Sequence, residues 1–277
     1  MLSTLSLWLV TSRPLLYPLV PIIILFGYFH AGGTILTLSP EALLVLFVFS
    51  APFSLIVYGL NDIYDADSDA INQKRHWLTG AVAAPTTHRS ILIGVALSIV
   101  LFLAVMIMVG NQLLGLMMSL ALLFAYFYSV PPLRLKAVPM VDCLVSGVGY
   151  VLIPFLIGTA LRNTVFIEPE VLIIVLFVAA YHILCSVRDY EADKSVGDRT
   201  TVVWLGVRTS LVLVSIISLL CASVWYTLRP FDWLGVVFLG SLGVVSLLVL
   251  YRPNCIRLVV NGMVPLAALV ALYKLFF

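Results

Sequence analysis

Residues 42–69 read ALLVLFVFSAPFSLIVYGLNDIYDADSD. Nineteen uncharged residues run straight into nine that hold Asn61 and four aspartates. The apolar part is long enough to cross a bilayer, because about 20 helical residues span the hydrocarbon core. The acidic part then falls where the helix leaves the membrane. An α-helix turns about 100° per residue, so Asn61, Asp62, Asp65 and Asp69 fall at about 0°, 100°, 40° and 80°. Four oxygen-bearing side chains share one face, and Asp67 points elsewhere. Like charges four residues apart destabilise a helix, so this face calls for a compensating cation.

The rest of the chain repeats the apolar theme. Of 277 residues, 62% are hydrophobic and 10% charged, and the mean hydropathy is +1.16. Soluble domains carry about 25% charged residues, so lipid is the expected solvent. Breaking the sequence at charges, Pro and Gly predicts nine spans, at 14–31, 42–60, 90–109, 112–129, 139–161, 170–187, 207–228, 232–251 and 256–276. The expected fold is an all-α membrane protein, one polytopic domain over 1–277 with about nine transmembrane helices. A tight hairpin is expected at Gly110-Asn111.

Nine spans put twelve Lys and Arg on one side, from Arg13 to Arg257, and only Arg162, Arg229 and Lys274 on the other. The positive-inside rule makes the first side, with the N-terminus, cytoplasmic. The protein is expected to be a multi-pass integral membrane protein, in the plasma membrane if the source is bacterial or archaeal. Nothing before Arg13 reads as a removable signal peptide. A net charge of +2 with scattered basic residues gives no sign of a nucleic-acid partner. Cys143, Cys185, Cys221 and Cys255 form no CxxC pair and read as inert thiols.

A second acidic cluster, Asp189-Tyr190-Glu191-Ala192-Asp193, follows another apolar span. Asp189 and Asp193 are about 40° apart on a helix, Glu191 falls on the opposite face, and Gly197 ends the helix. It echoes the first cluster half a chain later. Hard oxygen ligands select Mg²⁺ or Ca²⁺, and Mg²⁺ is commonly shared between carboxylates and substrate phosphates. Two such faces on one side of the membrane would clamp a diphosphate through metal ions.

Between the clusters lies Tyr126-Phe127-Tyr128-Ser129-Val130-Pro131-Pro132-Leu133-Arg134-Leu135-Lys136. Arg134 and Lys136 read equally as phosphate contacts and as interfacial anchors. Lys74, Arg75, His76 and Arg89 sit in the loop after the first cluster, and Arg75 is a candidate diphosphate contact. His182, inside a span, leaves three readings open: a pocket-lining group, a base, or a structural hydrogen-bonding residue.

In this set the chain resembles the UbiA superfamily of intramembrane prenyltransferases. Asn61-Asp62-x-x-Asp65-x-x-x-Asp69 is similar to the family's first motif. Asp189-x-x-x-Asp193, with Gly197 and Arg199-Thr200, is similar to its second. Tyr128-Ser129-x-Pro131-Pro132-x-Arg134-x-Lys136 and Ser12-Arg13-Pro14 complete the likeness. The resemblance implies nine helices in a single bundle around a lipid-accessible cavity. It also implies Mg²⁺ held by Asn61, Asp62, Asp65, Asp69, Asp189 and Asp193, with Arg134, Lys136 and Tyr128 on phosphate oxygens. The implied partners are a prenyl diphosphate donor, dimethylallyl or longer, a hydrophobic acceptor, and the membrane lipid around them.

The stretch from His182 to Asp189, with Leu184-Cys185-Ser186-Val187 where quinone-pathway members often carry Asn, is closer to the carotenoid branch, which includes lycopene elongases making C50 carotenoids. Prenylation of an aromatic quinone precursor or another lipid by the same mechanism is the alternative. Outside the family stand an alcohol phosphotransferase, whose Asp-Gly pattern is missing, and a transporter, whose acidic pairs usually lie at mid-membrane.

Overall fold

The computed structural model describes residues 3–72, 84–256, 258–263, 266 and 270. The helices in chain order are α1 (Thr4–Thr11), α2 (Leu19–His30), α3 (Pro40–Val48), α4 (Ala51–Tyr64), α5 (Ala66–Asn72), α6 (Pro85–Val109) and α7 (Gln112–Ser129). They continue with α8 (Val141–Gly147), α9 (Ile153–Ala160), α10 (Pro169–Val196), α11 (Thr201–Leu205), α12 (Val207–Leu228) and α13 (Trp233–Tyr251). Among the described residues there are seven helices long and apolar enough to cross a membrane. They become eight if the bent pair Thr4–Thr11 and Pro14–His30 counts as one span. The expected span at 256–276, together with Arg257 and Lys274, lies largely outside the described residues. So does the whole of Lys74, Arg75 and His76.

The chain forms two compact units. The first contains Met1–Arg134 and Ile153–Phe166, and the second Leu135–Leu152 and Ile167–Phe277. In the first unit, the helices start and stop where backbone chemistry requires. Ser39 caps α3, accepting from Ala42 N at 3.2 Å, with Pro40 at the first helical position. The expected span at 42–60 is present within one membrane-long segment, Pro40–Tyr64, whose helical ladder is interrupted only at Phe49 and Ser50. Pro52 has no N–H to donate and its ring crowds the carbonyl four residues back, at Val48, where α3 stops. A departure is α1, a helix that precedes the first expected span at 14–31. Arg13 has a left-handed φ of 56° and turns the chain between the two limbs, which are bent by 45°.

The hairpin at Gly110-Asn111 is as expected. Gly110 takes a left-handed φ of 63°, and the Asn111 side chain accepts from Leu114 N at 3.0 Å to start α7. Asn111 also donates to Asn163 Oδ1 at 2.9 Å, tying the hairpin to the end of α9.

α2 and α9 pack backbone to backbone. A Cβ placed on Gly27 would collide with the carbonyl of Phe155, and one on Gly158 with the carbonyl of Ile24. Small residues at such crossings let helices approach closely in lipid, where packing rather than the hydrophobic effect drives association.

In the second unit, α10 is the 28-residue spine. Its apolar face, with Phe177, Ile183 and Leu184, packs among Leu211, Val214 and Leu242. Serines cross-link α12 and α13: Ser215 Oγ and Ser246 Oγ are 2.6 Å apart, Gly243 N donates to Ser218 Oγ at 2.9 Å, and Ser218 Oγ donates to the Leu239 carbonyl. Such bonds replace water where none is present. Cys143 and Cys221 are buried, and none of the four cysteines is in a disulfide, as expected.

The glycine crossing gives a direct test. Gly158→Val should lower stability by about 1–3 kcal/mol or more through overpacking against α2. Thermal denaturation of detergent-solubilised protein would show a lower midpoint, and an unchanged midpoint would contradict the packing.

Candidate active site

The first acidic motif spans the end of α4 and the start of α5. The helix is interrupted at Asp65 alone, and the hydrogen-bond ladder carries through the break. Asp65 N donates to Asn61 O at 2.9 Å and Asp69 N to Asp65 O at 2.8 Å. The helical phase therefore survives. Asp62 and Asp69 are buried, Asn61 and Asp65 are partly buried, and Asp67 is exposed, as the wheel required.

Asp62 is 0% exposed, and a buried carboxylate needs a counter-charge. Arg13 supplies it, with Nη2 at 2.8 Å from Asp62 Oδ1. The guanidinium also lies 4.2 Å over the Tyr58 ring, a cation–π contact that helps hold a charge below the surface. Asp62 Oδ2 is buried and has no hydrogen-bond partner among the described residues. That oxygen is an open acceptor, a hard oxygen of the kind that Mg²⁺ and Ca²⁺ take.

Arg134 does the same for Asp65. Its Nη2 lies 3.1 Å from Asp65 Oδ1 and 3.3 Å from the Tyr64 carbonyl. The structure thus joins a residue expected to hold phosphate to the first acidic motif. Tyr128, partly buried near the C-terminus of α7, belongs to the same unit.

The second motif lies in the second unit, on the last turns of α10. Asp189 is held fork to fork by its neighbour Arg188, with Nε–Oδ1 and Nη2–Oδ2 both 3.1 Å. Asp193 is partly buried and Glu191 exposed. α10 stops at Gly197, φ 82°, where Asp198 N donates to Asp193 O at 2.9 Å, the reversal expected from Gly at this position. Lys136, also in this unit, is buried. Among the described residues no three His, Cys, Asp or Glu side chains converge tightly enough to hold a metal ion by themselves.

Two residues escaped sequence reasoning. Arg13 was counted only as a basic residue at the membrane edge and as part of a family motif. The signal was there in its pairing problem, since a carboxylate entering an apolar span needs a cation nearby. The other is Asp142, which is 1% exposed. Its Oδ2 accepts from Thr201 N at 2.9 Å, and its Oδ1 from Cys143 N at 2.8 Å and from the Thr201 hydroxyl. Thr201 Oγ1 in turn accepts from Met140 N at 2.7 Å. This network locks the Lys136–Met140 segment to the loop that follows the second acidic motif. A lone Asp between Val141 and Cys143 was the visible sign.

His182, two turns before Asp189, hydrogen-bonds Ser146 on α8, with Nδ1 3.0 Å from Oγ. One of its three readings, the structural bond, is therefore present.

These features belong to a helical membrane protein with two carboxylate clusters at helix ends. Residues 20–262 match the model of the UbiA prenyltransferase family, and the chain belongs to that family. It is similar to the lycopene elongase/hydratase of Corynebacterium glutamicum, 29% identical over 192 residues, covering 67% of this chain and 66% of that protein. It is also similar to the lycopene elongase/hydratase of Haloarcula japonica, 31% identical over 201 residues, covering 70% of this chain and 65% of that one. The chain thus spans a little under two thirds of the length of these relatives. In fold it matches a UbiA homolog from Archaeoglobus fulgidus, solved bound to DMAPP and Mg²⁺, with a TM-score of 0.71, 22% identity and 97% of each chain covered.

The Arg13–Asp62 pair is testable on stability alone. Arg13→Ala strands a buried carboxylate and should cost about 3–5 kcal/mol. Asp62→Asn in the same background should recover most of the loss. A double variant no more stable than Arg13→Ala, by thermal midpoint, would show that the ion pair is not what balances Asp62.

Proposed function

We propose that this protein transfers an isoprenyl group from a prenyl diphosphate to a hydrophobic acceptor inside the membrane, with Mg²⁺ at the two acidic motifs. The observation that carries the reading is the half-satisfied Asp62 carboxylate at the head of the first motif, with its buried Oδ2 open. Within this reading the reaction is elongation of lycopene on the way to C50 carotenoids. The family, the lycopene elongase/hydratase relatives and the Leu184-Cys185-Ser186-Val187 stretch support that choice.

Bound Mg²⁺ would neutralise the diphosphate as the C–O bond breaks. Asn61, Asp62, Asp65 and Asp69 would hold one side of the metal–diphosphate, and Asp189 and Asp193 the other. Arg134, Lys136, Tyr128 and, outside the described residues, Arg75 would take phosphate oxygens. Arg134 and Arg188 already neutralise Asp65 and Asp189. Guanidinium groups and cations compete for the same carboxylate oxygens, so metal loading would free arginine donors for phosphate. The Lys and Arg distribution over the nine expected spans supports a cytoplasmic N-terminus and polar mouth. The apolar helix faces beneath it would shelter the allylic cation from water, and the aromatic side chains there would steady it.

The test uses purified protein with dimethylallyl diphosphate and lycopene. Diphosphate release should require Mg²⁺ and stop with EDTA, with elongated pigment formed alongside. Asp62→Ala and Asp193→Ala should each lower turnover at least about 100-fold, the loss expected when an electrostatic stabiliser is removed. Asp67→Ala and Glu191→Ala, off the binding faces, should stay near wild type. Metal-independent release, or near-normal activity in a folded Asp62→Ala variant, would refute the reading.

A further inference from the structure

His182 lies on the membrane-spanning part of α10, and its position relative to the second acidic motif is fixed by the helix. Asp189 is seven residues on and Asp193 eleven, so both lie within about 20° of His182 around the axis. Along the axis His182 sits about 10 Å deeper than Asp189. On the prenyl-transfer reading, a prenyl diphosphate held at the motif would run its hydrocarbon inward along this face. His182 therefore stands at the level of hydrocarbon, not of phosphate.

The hydrogen bonds around the ring set its tautomer. Ser146 is 3% exposed, and its hydroxyl donates to the Asp142 carbonyl at 3.1 Å. A hydroxyl has one hydrogen. In the arrangement that keeps this bond, Ser146 Oγ accepts from His182, which puts the ring proton on Nδ1 and the lone pair on Nε2. Among the described residues no hydrogen bond reaches Nε2. Asp142 is itself pinned by Thr201 and Cys143, so the chain from Thr201 through Asp142 and Ser146 to His182 is braced from behind.

We propose that His182 Nε2 binds the water that ends the reaction and takes its proton. This inference rests on the prenyl-transfer reading above. It also gives a chemical place to the second half of the name that relatives carry, elongase/hydratase. The donor C–O bond breaks with its electron pair leaving on diphosphate. The π pair of the acceptor alkene forms the new C–C bond, which leaves a tertiary cation on the acceptor. A water lone pair then forms the C–O bond, one O–H bond breaks with its pair staying on oxygen, and the proton goes to Nε2. Donor, acceptor and water give an alcohol, diphosphate and one proton. A water at hydrocarbon depth needs polar partners to stay there, and an imidazole lone pair on the substrate-facing side of α10 is one.

The cation itself forms without His182, so the two steps separate in an experiment. Full-length protein in lipid nanodiscs would receive dimethylallyl diphosphate, Mg²⁺ and lycopene in ¹⁸O-water. Diphosphate release and extracted pigments would be measured for wild type, His182→Gln and Ser146→Ala. Wild type should give ¹⁸O-labelled elongated alcohol. His182→Gln should keep diphosphate release within about threefold, while the ratio of alcohol to dehydrated alkene falls about tenfold or more. Ser146→Ala, which unlocks the tautomer, should shift that ratio the same way by less. An unchanged ratio in His182→Gln overturns the proposal, as does a wild type that makes only alkene. Loss of diphosphate release along with product in folded His182→Gln also overturns it, since His182 would then serve ionisation. A wild type that releases no diphosphate sinks the parent reading and this inference with it.

Discussion

A carboxylate carried to the end of a membrane-spanning helix has to be neutralised, and much of the first unit is arranged around doing so for Asp62. The apolar run of α4 brings the side chain to complete burial. Removing a carboxylate from water costs several kcal/mol unless a partner compensates. Arg13 reaches it because the chain bends by 45° between the helical limbs before and after that residue. Tyr58, one turn earlier on α4, places its ring under the same guanidinium. One carboxylate oxygen is satisfied and the other remains open. A group balanced this way is stable enough to fold and still has capacity for a stronger cation.

The second unit meets the same demand differently. Asp189 takes its counter-charge from the adjacent Arg188, so that pair is local to the helix. The long-range order comes instead from Asp142, whose three accepted hydrogen bonds fasten the loop after the second motif to the segment that bears Lys136. Buried polar networks stabilise most when their members are satisfied, and here Thr201, Cys143 and Ser146 satisfy Asp142.

Much of this was legible from the sequence because membrane folding imposes hard length and polarity rules. The spans, the acidic faces, the Gly110-Asn111 hairpin and the stop at Gly197 follow from periodicity and from residues with special backbone behaviour. The exposure of Asp67 and Glu191 follows from helical phase alone. What escaped were two local interruptions and the facts that depend on tertiary approach. The break before α4 needed the Pro52 ring to be weighed against Val48, and α1 was hidden by the charge and proline that follow it. The partners of Arg13 and Asp142 lie 49 and 59 residues away in the chain, beyond what local pattern can register.

The central claim is that both acidic motifs hold one metal-bound diphosphate. It is tested most directly by equilibrium binding of a non-ionisable dimethylallyl thiolodiphosphate to purified protein, with and without Mg²⁺, comparing wild type with Asp62→Asn and Asp193→Asn. The account predicts binding that requires Mg²⁺ and that either substitution alone weakens by at least about tenfold, the equivalent of 1.4 kcal/mol. Binding that survives EDTA, or that only one of the two substitutions affects, would contradict a shared site.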